Sequence, residues 1–119
     1  MKLIKLTFLL MMMSSLGFAQ NKNAKATIEV DGVCMMCKTR IEKVCLKTKG
    51  VKSAVWNVET HNLSLIYDER KVDLLSINSK IAEAGHDTKT IKAPDEAYDD
   101  LHPCCKYREE EVRENHDSK

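Results

Sequence analysis

An α+β fold with the element order β-α-β-β-α-β is predicted for this chain, and three observations predict it. Two stretches place apolar residues at helical spacing, and each is closed by a glycine, Gly50 or Gly85. Three short stretches alternate apolar and polar residues, as half-buried strands do. Two of those strands face each other across a short polar turn, which marks a hairpin.

The elements follow in order. "NKNAK" is a polar start, and "ATIEV" puts Ala26, Ile28 and Val30 on one face of a first strand. "DGVCMMC" is a loop. From about Met36 to Lys49 a helix carries Cys37, Ile41, Val44, Cys45 and Thr48 on one stripe, and Gly50 stops it. "VKSAVWNVET" alternates again, with Ala54, Trp56 and Val58 together. "HN" is the turn, and "LSLIYD" aligns Leu63, Leu65 and Tyr67. Asp73 is placed to cap a second helix with the stripe Leu74, Ile77, Ile81 and Ala84. "HDTKTIK" reads as a weak fourth strand at an edge. Residues 24–92 therefore form a split βαβ, or ferredoxin-like, sandwich. A four-stranded antiparallel sheet has two helices on one face.

The flanks differ from this domain. "MKLIKLTFLLMMMSSLGFAQ" begins with Lys2 and Lys5, continues with an uncharged run from Leu6 to Phe18, and offers Gly17 and Ala19 as small residues before a cut. This is the pattern of a signal peptide over residues 1–19. The run is shorter than the roughly 20 residues of a spanning helix, so cleavage is expected rather than anchoring. The protein is then periplasmic or secreted, and after signal removal no membrane span is expected. Residues 93–119 are acidic with little apolar periodicity, and are expected to be a partly disordered appendage. The whole chain of 119 residues carries a net charge of +1. Without Lys2 and Lys5 it is about −1, which gives no basic excess to hold nucleic acid or an anionic membrane.

Chemistry concentrates in cysteine. Cys34 ends the first loop and Cys37 opens the first helix, so their sulfurs converge at a helix N-terminus. Partial positive charge and unpaired N–H groups there favour thiolate. Two converging thiolates suit a soft ion of low coordination number, Cu(I) or Hg(II), whereas Zn(II) asks for four ligands. A thiol–disulfide pair uses the same spacing and is the rival reading. Met35 and Met36, between the cysteines, are expected to coordinate nothing. Cys45 lies on the buried stripe and reads as core.

The stretch "CMMCKTRIEKVCLKTKGVKSAVWNVETHNLSLIYD", followed by "INSKIAEAGHD", resembles the heavy-metal-associated domain family. That family includes copper chaperones, the N-terminal domains of copper-transporting ATPases and periplasmic mercury-binding proteins. The resemblance covers about 70 residues and rests on CxxC, Ile41-Glu42, Gly50-Val51, "NVET", "YD" and Gly85 at the family's spacings. It implies that Cys34 and Cys37 are metal ligands. It departs at Gly32, where many members carry Met, so a buried Met cannot anchor the loop here. It departs again at His86, often an aromatic position, in a loop that this fold brings near the CxxC loop. His86 is therefore a candidate auxiliary ligand or a group that tunes the thiolates.

"HPCC" in the tail adds His102, Cys104 and Cys105 as further candidate ligands. The ten or so residues after Lys92 reach roughly 30 Å at ~3.3 Å per residue, enough for the tail to return to the CxxC loop. Extra ligands there would shift preference toward Zn(II) or a more tightly held Cu(I). A disulfide with Cys34 or Cys37, blocking metal uptake, is the other reading. His61 and His116 are read as bystanders. The function expected is an exported soft-metal carrier or scavenger, with Cu(I) as cargo and Hg(II) or Zn(II) as alternatives. It would be a monomer and not an enzyme. A metal-transporting ATPase or other acceptor would dock on the basic face of "KTR", Lys43 and Lys47.

Overall fold

The computed structural model describes residues 21–117, with side chains described as far as Asn115. The expected signal peptide, and the side chain of His116, lie outside the described residues. Strand β1 (Ala24–Glu29) is followed by helix α1 (Met35–Lys47), strands β2 (Val51–Trp56) and β3 (Asn62–Tyr67), and helix α2 (Leu74–Glu83). A short helix α3 (Asp95–Asp99), a 3-10 turn (Pro103–Cys105) and helix α4 (Glu110–Asp117) complete the chain.

The sheet has the order β1-β3-β2 with both pairings antiparallel. Its register aligns Ile28, Leu63 and Trp56 across the three strands, and Ala26, Leu65 and Ala54 in the next row of that face. Those side chains turn toward the core, and all but the partly covered Ala26 are buried. Period-two alternation thus puts one sheet face in the core. Helix α1 lies against β2 and touches α2. It buries Cys37, Ile41 and Cys45, the four-residue repeat expected of one helix stripe. Asp73 caps α2 by accepting from the Ser76 backbone N–H at 2.7 Å. Among the described residues, no helix is long and apolar enough to cross a membrane.

Two strands are shorter than their alternation predicts. The fourth strand is reduced to a single bridge, Val30 with Thr88, extended only by Asp31 N–H to Asp87 O (2.9 Å) and Lys89 N–H to Glu29 O (3.2 Å). Thr88 explains the truncation. Its backbone N–H bonds to Ile91 O at 2.8 Å, and its hydroxyl oxygen accepts from the Ile91 N–H at 3.0 Å, so the chain curls away from β1. Strand β2 stops at Trp56 rather than reaching Thr60. The Asn57 side-chain oxygen accepts from the N–H groups of Glu59 (2.8 Å) and Thr60 (3.0 Å), closing a local turn in place of a ladder.

The segment after Ala93, expected as an appendage, is packed into the domain. Tyr98, Leu101, Cys105 and Tyr107 are buried in the same cluster as Ile41, Trp56 and Leu63. Gly85 makes the close approach. It has φ +105°, and a Cβ there would stand 2.8 Å from Ala97 O and 2.9 Å from Leu101 Cδ2. Gly85→Ala should therefore cost at least about 2 kcal/mol, from backbone strain and displacement of Leu101 together. Chemical denaturation of the two proteins checks this; an unchanged midpoint would mean that the tail does not sit against Gly85.

Candidate metal centre

The loop before α1 is held from below by tryptophan. A Cβ on Gly32 would lie 2.9 Å from Trp56 Cη2 and 3.1 Å from Cys37 Cβ, so only glycine lets the indole pass beneath. The Trp56 indole N–H donates to Val30 O (3.0 Å) and His61 O (3.1 Å). The indole occupies the space over Gly32, so the loop has an aromatic anchor without a Met there. Lys38 and Glu42 fasten α1 to the same strand end. They pair with each other, Lys38 donates to Trp56 O at 2.9 Å, and Glu42 accepts from the Trp56 N–H at 2.8 Å. Lys38 is thereby withdrawn from the basic face expected of "KTR".

On this platform the two loop sulfurs meet. Cys34 Sγ and Cys37 Sγ are 3.3 Å apart, and Cys34 is the extended residue that precedes the first turn of α1. The tail adds two more. Cys105 Sγ lies 3.2 Å and Cys104 Sγ 3.8 Å from Cys34 Sγ, with 3.8 Å between the tail sulfurs. Cys34, Cys104 and Cys105 form the group of candidate ligand atoms within 4.8 Å of one another. All five cysteines are free thiols.

The four thiols are not equivalent. Burial raises the Cys34 pKa, but hydrogen bonds from Cys105 and Cys37 outweigh it, and the net shift is downward. Burial raises Cys37, Cys104 and Cys105. The cluster thus favours one thiolate, at Cys34, with its neighbours as donors. Cys45 stands apart in the core, and burial pushes its pKa up to about 12.

The histidines divide. His102 Nδ1 is 3.2 Å from Cys104 Sγ and accepts from the Cys104 backbone N–H, also at 3.2 Å, capping the 3-10 turn. Met36 Sδ lies 3.4 Å from Cys104 Sγ. His86 does not join the thiol group. It is fully buried, its Nδ1 bonds to Asp31 O at 2.9 Å, and its ring stacks on Tyr107 at 5.5 Å. Because a carbonyl can only accept, Nδ1 carries the proton, and Nε2 is left buried without a partner. His61 stacks on Trp56 at 5.7 Å, which makes it a packed turn residue.

The return of the tail is built by residues that sequence reasoning passed over. Tyr107 OH donates to Gly85 O at 2.7 Å and accepts from the Asp87 N–H at 2.8 Å. Arg108 grips Asp87 through Nη2–Oδ1 (2.8 Å) and Nε–Oδ2 (3.2 Å), and donates to Ala93 O at 3.0 Å. Tyr98 meets Tyr107 edge to face and lies under the Arg108 guanidinium, 4.2 Å from ring centre. The only signal available in advance was aromatic and basic residues bracketing "HPCC" in an acidic segment.

A ferredoxin-like domain with paired thiols at the mouth of its first helix is what this geometry defines. The profile of the heavy-metal-associated domain matches residues 27–87, just over half of the chain, and the chain belongs to that family. A copper-exporting P-type ATPase of Staphylococcus saprophyticus is 34% identical over 71 residues, which are 59% of this chain and 9% of the ATPase. The chain therefore spans under a tenth of that relative. The copper chaperone CopZ of Staphylococcus epidermidis is 32% identical over 63 residues, 52% of this chain and 93% of the chaperone. Among solved structures, a CopZ metallochaperone superposes with TM-score 0.53 at 30% identity, covering 55% of this chain and 98% of its own. The Cu(I)-loaded N-terminal domain of a potential copper-translocating P-type ATPase from Bacillus subtilis gives 0.54 at 25% identity, covering 56% and 85%. The family profile ends at residue 87, before the tail.

Burial of His86 predicts a pH dependence. Its pKa falls from the ordinary 6.5 to about 4, chiefly through desolvation, so the unfolded chain takes up a proton that the folded chain refuses across that window. Stability from this group is complete above pH 6.5 and declines as pH falls toward about 4, by up to about 3 kcal/mol. His86→Phe keeps a ring against Tyr107 and has no proton to gain. The stability of wild type relative to His86→Phe should fall by that amount between pH 7 and pH 4 in denaturant titrations. A constant difference would mean that His86 is solvated.

Proposed function

We propose that this protein is a Cu(I) carrier or scavenger that takes the ion at Cys34 and Cys37. The observation that carries the reading is the position of the pair: two sulfurs 3.3 Å apart at the start of α1, in the loop where the family has its CxxC. A soft monovalent ion matches thiolate donors, and the thiolate preference of Cys34 readies the site for it. The names of the copper chaperone and copper-exporting ATPase relatives support copper over other soft ions. The role is one of binding and transfer, not catalysis. Transfer would run by ligand exchange, an acceptor thiolate adding to the ion before a donor thiolate leaves.

Export is part of the same proposal, on the strength of the "MKLIKLTFLL" start. The protein would act as a monomer outside the cytoplasm and hand its ion to a metal-transporting ATPase or another accepting protein. Arg40, Lys43 and Lys47 border one groove on α1 together with the exposed Met35 and Met36. That surface fits an acidic partner with an apolar centre.

Two measurements test this. In competition with a chromophoric chelator, the reduced protein should bind one Cu(I) tightly, and Cys34→Ser/Cys37→Ser should weaken binding by on the order of 100-fold or more. Equal affinity in that variant would remove the pair from the function. Lys43→Glu/Lys47→Glu should leave Cu(I) affinity unchanged and slow transfer to an acidic acceptor domain by on the order of tenfold at low salt. Unchanged transfer would put the docking surface elsewhere.

A further inference from the structure

We propose that the ion is enclosed by three or four thiolates, with Cys104 and Cys105 of the C-terminal strap joining the loop pair, and that its release requires the strap to lift. This rests on the Cu(I) reading above and adds the strap to it.

Sulfur geometry carries the argument. A two-coordinate ion between Cys34 and Cys37, with bonds of about 2.3 Å, needs its sulfurs about 4.6 Å apart. The pair stands 3.3 Å apart, so linear two-coordination requires the two sulfurs to separate. The triangle of Cys34, Cys104 and Cys105 has sides of 3.8, 3.8 and 3.2 Å. The point equidistant from its corners is about 2.1 Å from each, so an ion with bonds of about 2.3 Å fits just outside that plane. Cys37, 3.3 Å from Cys34, lies outside that group, so a fourth sulfur requires its side chain to turn toward the ion.

The strap is a built element. Cys105 is fully buried, and three residues later Arg108 closes on Asp87 while Tyr107 closes on Gly85. These contacts fix the backbone on the C-terminal side of the thiols, as α3 and the buried Leu101 fix it before them. Binding would release the protons of the joining thiols to solvent, and no electron changes hands. The negative charge that builds up has a neighbour of opposite sign. The Arg40 guanidinium acts on Cys104, and its Nη1 is buried without a hydrogen-bond partner. Met36 Sδ and the His102 ring crowd the outer side of Cys104. A closed polythiolate shell holds an ion more firmly and exchanges it more slowly than an open pair.

Copper-edge X-ray absorption on the reduced full chain with one equivalent of Cu(I) tests this, alongside Cys104→Ser/Cys105→Ser. Three or more sulfurs per copper in wild type and two shorter bonds in the variant are expected. Chelator competition should show affinity at least about tenfold weaker in the variant. Two sulfurs in wild type would overturn the strap proposal while leaving the carrier reading intact. Failure of wild type to bind Cu(I) at all would overturn both. If circular dichroism shows the variant unfolded, the wild-type sulfur count decides alone.

Discussion

Tyr107 sets where everything after Pro94 can go. Its hydroxyl is tied to Gly85 O and the Asp87 N–H, its ring lies between His86 and Tyr98, and it is almost wholly buried. A tyrosine buried in this way must satisfy its hydroxyl, and the Gly85–Asp87 turn offers both a carbonyl and an N–H in reach. Once that contact forms, Arg108 falls on Asp87, and the preceding 3-10 turn is delivered to the start of α1. The thiol cluster is a consequence of this anchor as much as of the CxxC spacing.

Two separate devices therefore hold the two halves of the site. Trp56 supports the loop from beneath, packing against Gly32 and bonding to Val30 and His61. Tyr107 and Arg108 hold the strap from the side. The loop device belongs to the part of the chain that resembles known metal-binding domains, and the strap lies beyond residue 87, where that match ends. The same core thus carries a conventional thiol pair and an addition that changes how that pair is surrounded.

Much of this was legible in sequence because it depends on local periodicity. Cys37, Ile41 and Cys45 recur at four-residue intervals, and all three are buried. Asp73 stands where a helix cap belongs, and it caps. The hairpin register follows from alternation. The features that escaped are long-range or locally overridden. Nothing near Gly32 announces that an indole 24 residues away would pack on it. The fourth strand failed because Thr88 bonds back to Ile91, a local choice that alternation does not reveal. His86 is a candidate auxiliary ligand by its place in the loop, but its ring turns to Asp31 O and Tyr107. The return of "HPCC" was within reach of its linker, yet its fixation depends on Tyr98, Tyr107 and Arg108, which lie in an acidic stretch without a repeat.

The proposed site puts one soft ion where loop and strap meet. Amide chemical shifts, recorded before and after one equivalent of Cu(I), test it most directly. A shared site predicts that the perturbed amides form two groups distant in sequence, Val33 to Lys38 and His102 to Tyr107, moving together at one equivalent. Perturbation confined to the first group, with the strap amides unmoved, would contradict it.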